Sequence, residues 1–128
     1  MTANDSRPTD AELAILQVLW DRGACTVREV FEVLSGGRET GYTTTLKLMQ
    51  IMFEKGLVTR DESQKSHVYK ARVRQQVTQR MLVTDLLTRA FGGSTEKLVV
   101  QALAAKKATK EELAEIRRLL NELEGDEQ

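Results

Sequence analysis

The stretch Leu57-Val-Thr-Arg-Asp-Glu-Ser-Gln-Lys-Ser-His-Val-Tyr-Lys-Ala71 decides the fold. Its two ends, Leu57–Glu62 and His67–Ala71, read as short strands, and the polar Ser63-Gln-Lys-Ser66 between them reads as the loop of a hairpin whose turn type the residues leave open. Elsewhere the apolar residues recur with a helical period, so the switch to strands here carries the fold assignment.

Upstream of the hairpin lie three helical segments. Thr9-Asp-Ala-Glu12 has the spacing of a capping box, in which a Thr hydroxyl and a Glu carboxylate three residues on satisfy two orphan amides reciprocally. Leu13, Leu16, Leu19 and Trp20 follow at helical spacing, and Gly23 stops the run. Thr26-Val-Arg-Glu29 repeats the capping signature ahead of a shorter helix carrying Val27, Val30, Phe31 and Leu34, which Ser35-Gly36-Gly37 breaks. Tyr42–Lys55 forms the third helix, with Leu48, Met49, Met52 and Phe53 expected to face inward and Gly56 to terminate it. Three helices followed by a β-hairpin is the order of a winged helix-turn-helix. A generic α+β domain with a solvated hairpin shares the pattern, and periodicity leaves both open.

Downstream the pattern is wholly helical. Val73, Val77, Met81, Leu82, Leu86, Ala90 and Phe91 form an apolar stripe that ends at Gly92-Gly93. Ser94 or Thr95 can cap a next helix bearing Leu98, Val99, Ala102 and Leu103. Thr109-Lys-Glu-Glu112 is a third capping box, and the helix it opens carries Leu113, Ile116, Leu120 and Leu123 at alternating spacings of three and four. So much apolar surface exceeds what a domain this small can cover, and a second copy of the chain is the economical cover. The alternative is a helical subdomain packed on its own winged helix. Residues 1–72 are therefore expected to form a winged-helix domain and residues 73–128 a helical dimerisation domain. Met81, Leu86, Phe91, Leu98, Leu113, Ile116, Leu120 and Leu123 are expected in the dimer interface.

Composition narrows the class. The chain has 128 residues, of which 41% are hydrophobic and 30% charged, enough for one modest core with a helical appendage. No apolar run approaches a bilayer span, and the polar Met1–Asp10 lacks the layout of a signal peptide, so a cytoplasmic protein without direct membrane insertion is expected. A single cysteine, Cys25, and a single histidine, His67, leave nothing with which to build a disulfide framework, a metal site or a catalytic centre. No enzyme activity, cofactor or metal is expected. The formal net charge is zero, but residues 40–80 hold eight Lys/Arg against three Asp/Glu, an excess of five positive charges in one segment. Such a local excess is the electrostatic footprint of a nucleic-acid binder.

The run Thr9–Trp20 (TDAELAILQVLW), then Thr26-Val-Arg-Glu-Val30, Gly41-Tyr-Thr-Thr-Thr45, Glu54-Lys-Gly-Leu-Val58 and His67-Val-Tyr69, resembles the penicillinase-repressor family of winged-helix transcriptional regulators. The likeness continues through Phe91-Gly-Gly93 and the final Glu-Glu-Leu-rich helix. It implies a homodimeric repressor that binds a palindromic operator in double-stranded DNA and is relieved by an upstream signal. One branch of the family senses copper through a cysteine-rich tail, whereas Glu122–Gln128 contains no cysteine. In another branch a membrane sensor metalloprotease triggers cleavage at an Asn-Phe bond, and the matching position here is Gln101-Ala102.

In a helix-turn-helix the second helix of the motif enters the major groove, and residues near its start meet base edges. That role falls to Tyr42–Lys55, with Tyr42, Thr43, Thr44 and Lys47 as expected DNA contacts, unless the threonines merely cap the helix. Arg60, Lys65, Ser66 and His67 of the hairpin are expected over the sugar-phosphate backbone. Leu46, Gln50 and Ile51 make this helix lightly charged for a family member. That keeps open a protein-interaction module that does not bind DNA.

Overall fold

A computed structural model describes residues 7–38 and 40–126; the rest, including most of the polar N-terminal stretch and the last two residues of the cysteine-free tail, lie outside the described residues. The chain is mainly helical with a small sheet. In order it runs α1 (Asp10–Arg22), β1 (Cys25–Thr26), α2 (Val27–Ser35), α3 (Tyr42–Lys55), β2 (Val58–Asp61), β3 (Val68–Ala71), α4 (Gln75–Phe91), α5 (Thr95–Ala105) and α6 (Lys110–Asp126). No described helix is long and apolar enough to cross a membrane.

The helix starts are where local chemistry puts them. At α1 the Glu12 amide donates to Thr9 Oγ1 at 3.2 Å, and the Thr9 amide donates to Glu12 Oε1 at 2.9 Å. Thr26 with Glu29 and Thr109 with Glu112 close the same reciprocal pair at α2 and α6. Ser94 caps α5 by accepting from the Lys97 amide at 3.1 Å. Gly56 ends α3 in the left-handed region at φ +84, where its amide reaches the Met52 and Phe53 carbonyls; a side chain at this position would be strained.

The chain divides into two compact units, one extending to Met81 and one beginning at Leu82. The first holds the core, in which Ile15, Leu16 and Leu19 of α1 meet Val30 of α2, Met49 and Met52 of α3, and Leu57, Val58 and Tyr69 of the sheet region. β2 and β3 pair antiparallel from Val58↔Ala71 to Asp61↔Val68. A third strand that was not expected completes the sheet in the order β1-β3-β2, with Cys25 opposite Tyr69 and Thr26 opposite Val68. Two residues show no periodicity, and Thr26 is at once a strand residue and the cap of α2.

Three apolar side chains depart from expectation. Phe53 and Leu34 are 36% and 40% exposed rather than core. Phe53 lies on the flank of α3 that meets the guanidinium of Arg60, and α2 buries only Val27, Val30 and Phe31. Val73 does not belong to the long helix, since α4 begins at Gln75. It packs on the core instead, and its carbonyl accepts from Trp20 Nε1 at 3.0 Å, tying the segment after the hairpin to α1.

The second unit comprises the rest of α4 with α5 and α6, and no side chain described in α5 or α6 is fully buried. On α6, Leu113, Ile116, Leu120 and Leu123 share one face and are 37–55% exposed. Arg118, which bridges Glu115 and Glu122, lies outside that apolar series. Leu86 is also exposed, as is Met81 at the end of the first unit, whereas Phe91 and Leu98 are half-buried.

Candidate nucleic-acid interface

The exposed face of α3 is built by spacing alone. Met49 and Met52 turn one side of the helix into the core, and Thr43, Lys47 and Gln50, separated by four and three residues, share the opposite exposed face with Thr44 beside them. The helix starts after Gly41, at φ +105, with no side-chain cap. Thr43 and Thr44 therefore do not spend their hydroxyls on capping. The first intrahelical bond runs from the Thr45 amide to the Gly41 carbonyl at 3.0 Å. The amides of Tyr42, Thr43 and Thr44 precede it, the arrangement by which helix starts receive phosphate oxygens.

Beside this face runs a groove of about 270 Å³, lined by Arg28 of α2, Tyr42 and Gln50 of α3, and Lys65, Ser66 and His67 of the hairpin loop. Four of the eight expected contacts, Tyr42, Lys65, Ser66 and His67, thus come together in one concave surface. Thr43, Thr44 and Lys47 stand exposed on the adjoining helix face. The hairpin loop has its own internal brace, because Asp61 Oδ1 accepts from the Ser63 amide at 2.9 Å. That bond holds the Asp61 carboxyl below the usual carboxylate range.

Arg60 is placed differently from the other wing residues. Its guanidinium lies 4.0 Å from the centre of the Phe53 ring and donates from Nη2 and Nε to Glu62, at 2.6 and 2.7 Å. Lys55 is committed too, to the Glu12 carboxylate. Two charges of the basic segment are therefore engaged within the protein, whereas Lys47, Lys65, Lys70, Arg72, Arg74 and Arg80 make no ion pair among the described residues.

Two residues that the sequence does not mark as contacts line this surface. Gln50 is exposed one turn beyond Lys47, and the signal for it was its place seven residues after Thr43 on the same face. Arg28 projects from α2 over the Tyr42 ring at 4.4 Å and over Phe31 at 5.5 Å. Its three-residue spacing to Phe31 was visible in the sequence, but its approach to Tyr42 required the packing of α2 on α3.

Cys25 lies buried in β1, where burial and then the nearby Glu29 push its thiol pKa up, the setting of an inert cysteine. Among the described residues no three His, Cys, Asp or Glu side chains are grouped as metal ligands.

Comparison with known proteins is consistent along nearly the whole chain. The family model described as penicillinase repressor matches residues 8–122. A transcriptional regulator, BlaI, from Mycobacterium tuberculosis (strain ATCC 25618 / H37Rv) is 31% identical over 122 residues, spanning 94% of this chain and 87% of the relative. The BlaI regulator of strain CDC 1551 / Oshkosh matches to the same extent. A penicillinase repressor from Staphylococcus aureus is 19% identical over 113 residues, spanning 88% of this chain and 90% of that protein.

Proposed function

The chain belongs to the penicillinase-repressor family, a family of transcriptional regulators rather than enzymes, and from that premise we propose that it represses transcription by binding a palindromic DNA operator as a homodimer. The observation that carries this reading is the continuous surface formed by Thr43, Thr44, Lys47 and Gln50 on α3 and by the groove that reaches Lys65, Ser66 and His67. An α3 laid in the major groove offers Thr hydroxyls and methyls, a Lys and a Gln amide to base edges, and the loop lies over the backbone. Arg60 then acts chiefly by stiffening the hairpin against Phe53.

The dimer reading rests on the unit that begins at Leu82. Leu113, Ile116, Leu120 and Leu123 repeat at the spacing of a helix–helix seam and stand 37–55% exposed among the described residues. A lightly charged reader gains most from pairing, because the second half-site then binds at a high effective concentration. Met81, Leu86, Phe91 and Leu98 are proposed to extend the same interface. Residues 1–72 are proposed as the reader and residues 73–128 as the dimeriser, although Val73 packs on the reader's core and the first compact unit extends to Met81.

Release is proposed to come from an upstream signal, with a membrane sensor metalloprotease as the candidate partner. Gln101 and Ala102 are exposed but lie inside α5, so cleavage there needs that helix to open locally, since proteolytic sites concentrate in exposed, extended chain.

Fluorescence anisotropy with palindromic duplexes from the region upstream of the chain's own gene tests the function. Binding that is weakened by Lys47→Ala supports it. A second reading, a winged-helix module for protein partners, draws on the zero net charge and on the internal engagement of Lys55 and Arg60. Absence of binding to every such duplex at low salt selects that second reading.

A further inference from the structure

The side chain that the functional reading leaves unexplained is Arg28. It is exposed and makes no ion pair among the described residues, yet it is not left to wander. Its guanidinium carbon lies 4.4 Å from the centre of the Tyr42 ring and 5.5 Å from that of Phe31. The two rings meet edge to face, with centroids 5.7 Å apart and planes at 82°. Phe31 is buried, so the aromatic pair is anchored to the core and forms a fixed seat for the cation. A guanidinium stacked on a ring keeps its N–H donors at the edge, where they can meet a planar or tetrahedral anion. Arg28 lines a groove whose hairpin side carries Lys65, Ser66 and His67.

We propose that Arg28 is a clamp for the phosphodiester backbone, and that Tyr42 is a positioning residue which acts through Arg28 rather than by touching a base. This rests on the DNA-binding reading above and sharpens it, because it moves Tyr42 out of the base-reading set and brings in a cation from α2. The chemistry recognised is a phosphodiester irrespective of sequence. Arg28 therefore contributes to affinity and salt dependence and leaves the choice of operator to α3.

The test is DNA-binding anisotropy over a range of salt, with the full chain and its variants Arg28→Ala, Arg28→Lys, Tyr42→Phe, Tyr42→Leu and Arg28→Ala/Tyr42→Leu, after circular dichroism has shown each to be folded. Each neutralised phosphate contributes about −0.9 to the slope of log affinity against log salt. A dimer carries two copies, so Arg28→Ala should flatten the slope by about 2 and weaken binding about 30-fold at about 0.15 M salt. The loss should be equal for operator and unrelated duplex. Arg28→Lys should restore the slope only in part, since an ammonium does not present the stacked fork. Tyr42→Phe keeps the ring and should bind like the parent, Tyr42→Leu should weaken binding, and the double variant should be no weaker than Arg28→Ala alone.

Losses that add in the double variant, an unchanged salt slope in Arg28→Ala, or a loss confined to the operator would each overturn the proposal while leaving the DNA-binding reading in place. A parent protein that binds no duplex at low salt overturns that reading and the clamp with it.

Discussion

Lys55 Nζ donates to both carboxylate oxygens of Glu12, at 2.8 and 3.0 Å, and so fastens the end of α3 to the start of α1. The Glu12 side chain is 3% exposed and that of Lys55 25%, so the carboxylate has given up its water while the ammonium keeps some. Glu12 also closes the capping box with Thr9. One side chain thereby serves the helix that packs behind α3 and the orientation of α3 itself.

Removing Lys55 should cost more than an ordinary surface pair, because it leaves a buried carboxylate with only the capping contacts. Lys55→Met is expected to destabilise the first unit by about 3 kcal/mol. Urea unfolding followed through the single tryptophan, Trp20, measures this. A change below about 0.5 kcal/mol would place the pair with the negligible surface bridges.

The same pair makes stability depend on acid. Burial raises the Glu12 pKa, but the Lys55 hydrogen bond and charge and the Thr9 contacts outweigh it and leave the group below the usual carboxylate value. A carboxyl lowered in the folded state contributes fully above its unfolded pKa of about 4.3, and the contribution fades as pH falls through the lower folded value. Glu12→Gln should therefore lose stability relative to the parent at neutral pH, with the gap narrowing in acid below about pH 4. Parallel urea titrations at several pH values check the sign, and a gap that widens in acid would contradict it.

Trp20 should report on the closure of the hairpin region. Its Nε1 donates to the Val73 carbonyl at 3.0 Å, 53 residues along the chain. Trp20→Phe keeps much of the apolar packing and deletes the donor, and a loss of about 1–2 kcal/mol is expected in thermal or urea unfolding.

Sequence periodicity captured the elements whose chemistry is local. The capping pairs Thr9/Glu12, Thr26/Glu29 and Thr109/Glu112, the glycine stop at Gly56 and the hairpin around Ser63–Ser66 depend on residues within a few positions of one another. What was hidden depended on tertiary partners. β1 is a strand only because β3 passes beside Cys25 and Thr26. Phe53 reads as core until Arg60 is seen stacked on it, and Val73 reads as helix until Trp20 is seen to hold its carbonyl. For the candidate interface, the exposed positions Thr43, Thr44 and Lys47 of α3 were legible from helical spacing against the apolar Met49 and Met52. Arg28 was not legible, because its seat is assembled from α2 and α3.

The apolar face of α6 should prove necessary for pairing. Ile116→Asp puts a charge among Leu113, Leu120 and Leu123 and is expected to give a monomer by sedimentation equilibrium at micromolar concentration, with the winged helix still folded. Loss of the second half-site should weaken operator binding about 100-fold or more. Unaltered gel-shift affinity in this variant would contradict the dimer as the functional reader.

The most direct test of the account is a salt titration of the parent protein on a palindromic duplex from its own upstream region. A dimer that neutralises about six to ten phosphates should bind two chains per duplex, with log affinity falling linearly against log salt at a slope of about −5 to −9. Absence of binding at low salt, or affinity indifferent to salt, would contradict the claim that this surface grips DNA.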